Sequence, residues 1–266
     1  MGQTRVMGSP LDQWVPPGAW LATGYAEWQP PAELRGTVAC LWARVVGGEG
    51  GGSLVLPDGC SDLIWEQGAG AYVAGPDTGP ALVPTRAGMV LAGVRFRPAA
   101  GGPVLGLPLS ELRDQRVALA DVLPAAARPL AAALPAGLPA ALAATRLLDV
   151  TARLVAGGAA DPAVSRAAAW LRDPGVRAEE VAQRAGLSER QLRRRCQAAA
   201  GYGPKMLQRV LRFQRFVRLV DAAAQPPDLA RAAARAGYAD QPHLTRECRV
   251  LSGCTPAALH RLRHSG

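Results

Sequence analysis

The chain has 266 residues, 49% of them apolar, with 30 Lys and Arg against 21 Asp and Glu for a formal charge of +9. That length favours two cores over one, and that apolar content excludes a disordered tail. No apolar run approaches the roughly 20 residues that span a bilayer, and the first ten residues lack a signal-peptide stretch, so a cytoplasmic location without a membrane partner is expected.

Residues 1–35 are rich in Trp and Pro and read as largely irregular. From 36 to 97, short β-favouring runs are predicted at Val38–Val46, Leu54–Leu56, Leu63–Glu66, Tyr72–Ala74 and Met89–Phe96, separated by turns such as Pro57-Asp58-Gly59 and Gly75-Pro76-Asp77. In the last run Val94 and Phe96 share one face and Arg95 and Arg97 the other. The expected fold is α+β, beginning with an antiparallel β barrel or sandwich over 1–120. Residues 121–158, rich in Ala, Leu and Pro, read as a helical connector. Gly157-Gly158 followed by Asp161-Pro162 marks the boundary to an all-α domain over 159–266.

The charge is unevenly placed. Residues 1–150 hold 10 basic and 12 acidic side chains, while 151–266 hold 20 and 9. All the basic residues but Lys205 are arginines, whose planar fork suits phosphate and guanine edges. The five cysteines (Cys40, Cys60, Cys196, Cys248, Cys254) form no Cys-x-x-Cys pair and are expected to be free thiols. The three histidines all lie beyond residue 242, so neither a His-ligated metal site nor a His-based triad is expected in the N-terminal part. No cofactor, metal or catalytic residue is predicted, and the chain is not expected to be an enzyme.

The last 90 residues contain an internal repeat. Ala182-Gln183-Arg184-Ala185-Gly186-Leu187-Ser188-Glu189-Arg190 aligns with Ala233-Ala234-Arg235-Ala236-Gly237-Tyr238-Ala239-Asp240-Gln241 at an offset of 51. After one inserted residue, Leu192-Arg193-Arg194-Arg195-Cys196 aligns with Leu244-Thr245-Arg246-Glu247-Cys248, and Gly201-x-x-Pro204 with Gly253-x-x-Pro256. Each copy parses as helix, turn, helix. Gly186 or Gly237 closes the first helix. Ser188 caps the second helix in copy one, and Asp240 does so in copy two. Leu192 with Cys196, and Leu244 with Cys248, share the buried face. Arg190, Arg193 and Arg194 then face outward in the first copy, and Gln241, Thr245 and Arg246 in the second. Arg pairs with guanine, Gln with adenine, and Thr meets the thymine methyl, so these six are the predicted base-reading residues. A plain helical repeat with solvated arginines is the competing reading. A helix over Lys205–Asp221 joins the copies, and its arginines (209, 212, 215, 218) are expected on phosphates.

These residues resemble the DNA-binding domain of AraC/XylS-type transcription regulators over about 160–262. The matching positions are Ala182, Ala185-Gly186-Leu187-Ser188, Leu192-x-Arg194-x-Cys196, Gly201-x-x-Pro204, Arg212, Ala233, Gly237-Tyr238-Ala239-Asp240-Gln241-x-His243-Leu244-x-Arg246-x-Cys248 and Gly253-x-Thr255-Pro256 with Arg261. Cys196 and Cys248 replace the Phe usual in that family, and Leu244 stands where Phe is common, which implies a slimmer core. Pro242 replaces a residue that contacts DNA in relatives, and Phe216 stands where the joining helix often has Ala. Leu56-Pro57-Asp58-Gly59-Cys60-Ser61-Asp62-Leu63-Ile64-Trp65 and Gly93-Val94-Arg95-Phe96-Arg97-Pro98 are similar to a poorly characterised β domain that precedes such units.

The resemblance implies double-stranded DNA and RNA polymerase as partners, with a β domain that senses a small effector, forms a homodimer, or both. Asp62, Trp65 and Arg95 are the candidate effector-binding residues; the alternative is a hairpin turn at Asp58-Gly59 with surface charge pairs. Two further readings stay open: a DNA-binding assembly factor with no effector, and a thiol sensor acting through Cys60.

Overall fold

The computed structural model describes residues 24–48, 50–135, 137–157, 161–223 and 225–264. Trp14 and Trp20 lie outside them, as does part of the Gly157-Gly158 break.

Among the described residues, eight strands form two antiparallel sheets. They are β1 (Gly24–Trp28), β2 (Val38–Val45), β3 (Gly50–Val55), β4 (Ser61–Glu66), β5 (Gly70–Ala74), β6 (Ala81–Arg86), β7 (Val90–Phe96) and β8 (Arg116–Ala118). Six make one sheet in the order β1-β2-β7-β4-β5-β8, and β3 with β6 makes a separate ribbon. The described strands therefore form an open sheet facing a ribbon, not a closed barrel. Strand β6 escaped the sequence reading because Pro84 interrupts its pattern. A two-stranded ribbon tolerates that proline, since each strand is an edge.

The strand period sorts the side chains of the large sheet into two faces. Leu41, Ala43, Leu63, Trp65, Val73, Ala92, Val94 and Phe96 point to one side, all 3% exposed or less. Four helices cover that side: α1 (Gly101–Leu105), α2 (Leu119–Val122), α3 (Pro124–Ala133) and α4 (Ala140–Gly157). Helix α4 lies across β2 and β7. Residues 121–157, expected as a spacer, thus complete the core of the β domain. Pro124 starts α3 in the first-turn position that needs no amide.

The C-terminal part is helical throughout: α5 (Pro162–Trp170), α6 (Ala178–Arg184), α7 (Glu189–Ala200), α8 (Pro204–Asp221), α9 (Leu229–Ala236), α10 (Gln241–Ser252) and α11 (Pro256–His264). It has two cores. Leu207, Val210 and Leu211 from the first half of α8 pack with Val181, Leu192 and Cys196. Phe213, Phe216, Val217 and Val220 from its second half pack with Tyr238, Leu244 and Cys248. Phe216 thus fills the core that the smaller Leu244 and Cys248 would leave slack. No described helix is long and apolar enough to cross a membrane.

Candidate nucleic-acid interface and the cavity beside it

Helix α7 begins at a capping box. The Ser188 hydroxyl accepts from the Gln191 amide at 3.2 Å, and the Gln191 side chain accepts from the Ser188 amide at 2.8 Å. Asp240 accepts from the His243 amide at 2.6 Å and starts α10 in the same way, with Pro242 in its first turn. Each helix ends on a left-handed glycine, Gly201 at φ +81° and Gly253 at φ +74°. The turns before them use Gly186 at φ +66° and Gly237 at φ +88°. Both copies of the repeat therefore fold alike.

Burial separates two faces on each helix. Leu192, Cys196, Leu244 and Cys248 are 1% exposed or less. Arg190, Arg193, Arg194, Gln241 and Arg246 are exposed, and Thr245 is half-buried. Counted from the caps Ser188 and Asp240, Arg193 matches Thr245 and Arg194 matches Arg246, while Arg190 falls opposite Pro242 and not Gln241, and a proline offers no donor. Exposed Arg249 continues this face one turn on, a position the sequence reading passed over.

Three of the four α8 arginines depart from expectation, whereas Arg218 is exposed. Arg209 and Arg212 hold the Glu247 carboxylate at 2.9 and 3.2 Å, and His243 lies 3.6 Å from it. The Glu247 side chain is only 9% exposed, so it is a buried anion satisfied by two guanidiniums. Arg212 also stacks over the Tyr238 ring, 5.0 Å from its centroid. Arg215 donates to the carbonyls of Ala236 and Arg172. These side chains set the angle of the second helix-turn-helix on α8 and are spent within the protein. Glu247 was missed because an acidic residue on a DNA-reading helix looks like a solvated one. The signal was its position beside Cys248 on the inward side.

The other face of the large sheet lines an open-mouthed cavity of about 340 Å³ walled on its far side by the β3–β6 ribbon. Asp62 and Arg95 are direct partners across β4 and β7, and both line it. Their side chains approach to 3.2 Å, and the Trp42 indole donates to Asp62 at 2.7 Å. Gly93 makes room for that indole, because a Cβ there would lie 2.3 Å from the ring. Trp65 is not at the cavity. It is 3% exposed in the core on the opposite face, and Trp42 takes the place expected for it.

Burial raises the Asp62 carboxyl above its ordinary value, against the pull of Arg95 and the Trp42 hydrogen bond. The Arg95 guanidinium is held charged by Asp62. Burial also pushes the Cys60 thiol well above its ordinary value, although Arg95 opposes this, and pushes Cys40 up to about 12. The thiolate that a redox or alkylation sensor needs is thus disfavoured at both positions. Among the described residues no group of three ligating side chains converges on a metal site.

Residues 181–261 match a family described as a helix-turn-helix domain, and residues 26–118 match one described as a domain of unknown function. Comparison with curated proteins gives no match. Among solved structures, a protein described as a probable AraC family transcriptional regulator from Rhodopseudomonas palustris is 22% identical, over 39% of this chain and 98% of its own, at a TM-score of 0.35. ToxT from Vibrio cholerae is 8% identical, over 82% of this chain and 96% of its own, at a TM-score of 0.46.

Proposed function

We propose that this chain, with a helix-turn-helix domain behind a β domain, is a DNA-binding transcription regulator of the AraC type whose α7 and α10 read successive major grooves on one face of a duplex. The observation that carries this reading is the duplicated unit: two capped helices with matched buried faces and matched exposed polar faces, joined by one helix. Helix α8 has 18 residues, about 27 Å of axis, and the flanking helix widths bring the span near the ~34 Å of one turn. Arg190, Arg193 and Arg194 read the first half-site; Gln241, Thr245 and Arg246 read the second. Pro242 makes the second reading the weaker one.

The β domain, strands with α1–α4, is the regulatory part. Its cavity takes a small effector, with Asp62 and Arg95 in the wall. RNA polymerase and a second copy of the chain are the further partners of this reading.

A footprint on the chain's own upstream DNA tests it at fixed salt near physiological. Protection of ~20 bp is expected from one chain using both helices. Two related halves over twice that length would mean a dimer assembled through the β domain. Protection of only one groove would refute the two-helix reading.

A further inference from the structure

The cavity has a specific chemical character. Its floor is apolar and aromatic, from Trp42, Ile64, Tyr72 and Leu91, and Val83 of the ribbon roofs it. At about 340 Å³ it stands at the small end of ligand pockets, which run ~300–1,000 Å³.

Four arginines reach it, and three are already neutralised. Arg95 lies 3.2 Å from Asp62 and 3.7 Å from Asp58. Arg116 grips both Asp77 oxygens at 2.7 Å. Arg263, from α11, pairs with Asp221. Arg44 is the exception: it donates to the Ser53 hydroxyl at 2.6 Å and has no carboxylate partner among the described residues. A half-buried guanidinium without a counter-charge, at the edge of an apolar cavity, has a charge-assisted bond still to make. The acidic side chains of the cavity are engaged, so no negative charge is left over for a cationic ligand.

The cavity wall continues into the DNA-binding part. Gly75 and Asp77 line it and belong to the loop 75–80. That loop is pinned at Asp77 by Arg116 and at Thr78, whose amide donates to Asp114 at 2.6 Å. Its two outer prolines meet the two recognition helices at equivalent points of the repeat. A Cβ built on Gly201, the end of α7, would lie 2.4 Å from Pro76 Cγ. One built on Gly253, the end of α10, would lie 3.5 Å from Pro80 Cγ. Tyr202, next to Gly201, is 2% exposed, and its hydroxyl has no hydrogen-bond partner among the described residues. Burial pushes that hydroxyl well above its ordinary pKa, and the carboxylates of Asp58 and Asp77 in the cavity wall push it the same way. The second loop of that wall touches α8, where the Gln214 amide donates to the Pro57 carbonyl at 2.6 Å.

We propose that this cavity binds a compact, largely apolar molecule bearing one anionic group held by Arg44, and that loop 75–80 carries its occupancy to the ends of both recognition helices. The proposal rests on the effector reading above and adds the ligand class and the route of transmission. A ligand that shifts the ribbon or the loop displaces Pro76 and Pro80 together, so the two helices respond as a pair.

Anilinonaphthalene sulfonate and its uncharged parent phenylnaphthylamine, compared by fluorescence titration of the full chain, test the ligand class. The sulfonate is expected to bind about tenfold more tightly than the parent. Arg44→Gln should bring the two within about twofold and leave the parent unchanged, with Arg44→Lys restoring part of the preference. A preference that survives Arg44→Gln, or is absent from the wild type, overturns the ligand class. Hydrogen exchange tests the transmission without DNA. Saturating sulfonate should slow amide exchange in the last turns of α7 and α10 several-fold. The Pro76→Gly/Pro80→Gly double variant should bind the probe and lose that slowing. Unchanged exchange in the wild type, or slowing retained in the double variant, overturns the transmission. Selection of duplexes from random-sequence DNA is a separate arm, and its failure counts against the DNA-binding reading alone.

Discussion

Arg194 and Glu247 stand on two helices of one design and do opposite work. Arg194 is exposed and makes no ion pair among the described residues, so Arg194→Ala should relax base preference at one position by ~1–3 kcal/mol. Binding titrations on single-base variants of a selected duplex check this; unchanged affinity and preference would refute the assignment. Glu247 is buried under Arg209 and Arg212, so Glu247→Gln strands two positive charges in a partly dry site. A loss of roughly 2 kcal/mol is expected, below the ~3–5 of a fully buried pair because Arg209 is partly solvated. Thermal unfolding should report the loss, and hydrogen exchange should place it in α9–α10. Asp62 adds a pH dependence. Burial raises its folded pKa above the unfolded value, so the folded state binds more protons and stability falls as pH rises from the ordinary carboxylate range through the folded pKa. Asp62→Asn keeps the acceptor for Trp42 and should flatten that fall in a Tm-against-pH series. At this scale the sequence already held one correction. Positions 62 and 65 differ by an odd number, so a strand places Asp62 and Trp65 on opposite faces. The cavity tryptophan had to come from another strand.

At the scale of elements, local chemistry was legible wherever a short-range rule acts alone. Ser188 with Gln191, Asp240 with Pro242, and the left-handed glycines carry their geometry in the side chain or its absence. The two turn glycines nevertheless differ in their surroundings. A Cβ on Gly186 meets nothing within 4 Å, whereas one on Gly237 would lie 2.2 Å from Pro174. Gly186→Ala should therefore cost only the left-handed backbone strain, ~1–2 kcal/mol. Gly237→Ala should cost measurably more, because Pro174 has no flexible end to move. Paired denaturant melts decide this, and equal losses would refute the packing argument. Strand β6 was hidden by Pro84 and β8 by its three-residue length, since neither offers enough positions for a period to show.

For the whole molecule, the separation of charge predicts behaviour in salt. The basic C-terminal part should make DNA affinity fall steeply and log-linearly with salt concentration. The arginines spent on Glu247 and on backbone carbonyls should not contribute to that slope, so Arg212→Gln should leave it unchanged while lowering stability. A slope reduced by about one in that variant would return Arg212 to the phosphates. By itself the sequence determined the duplicated helix-turn-helix, its caps, its outward residues and the basic half that holds them. These rest on interactions spanning a few residues, or on a repeat that states the same solution twice. Only the tertiary structure decided that residues 121–157 complete the β core and that Trp42 replaces Trp65 at the cavity. It also decided that Arg209, Arg212 and Arg215 turn inward and that one loop reaches both helix ends. Each of these is a meeting of segments distant in sequence, chosen by which faces find apolar or opposite-charge partners, and no local pattern encodes which partner that is.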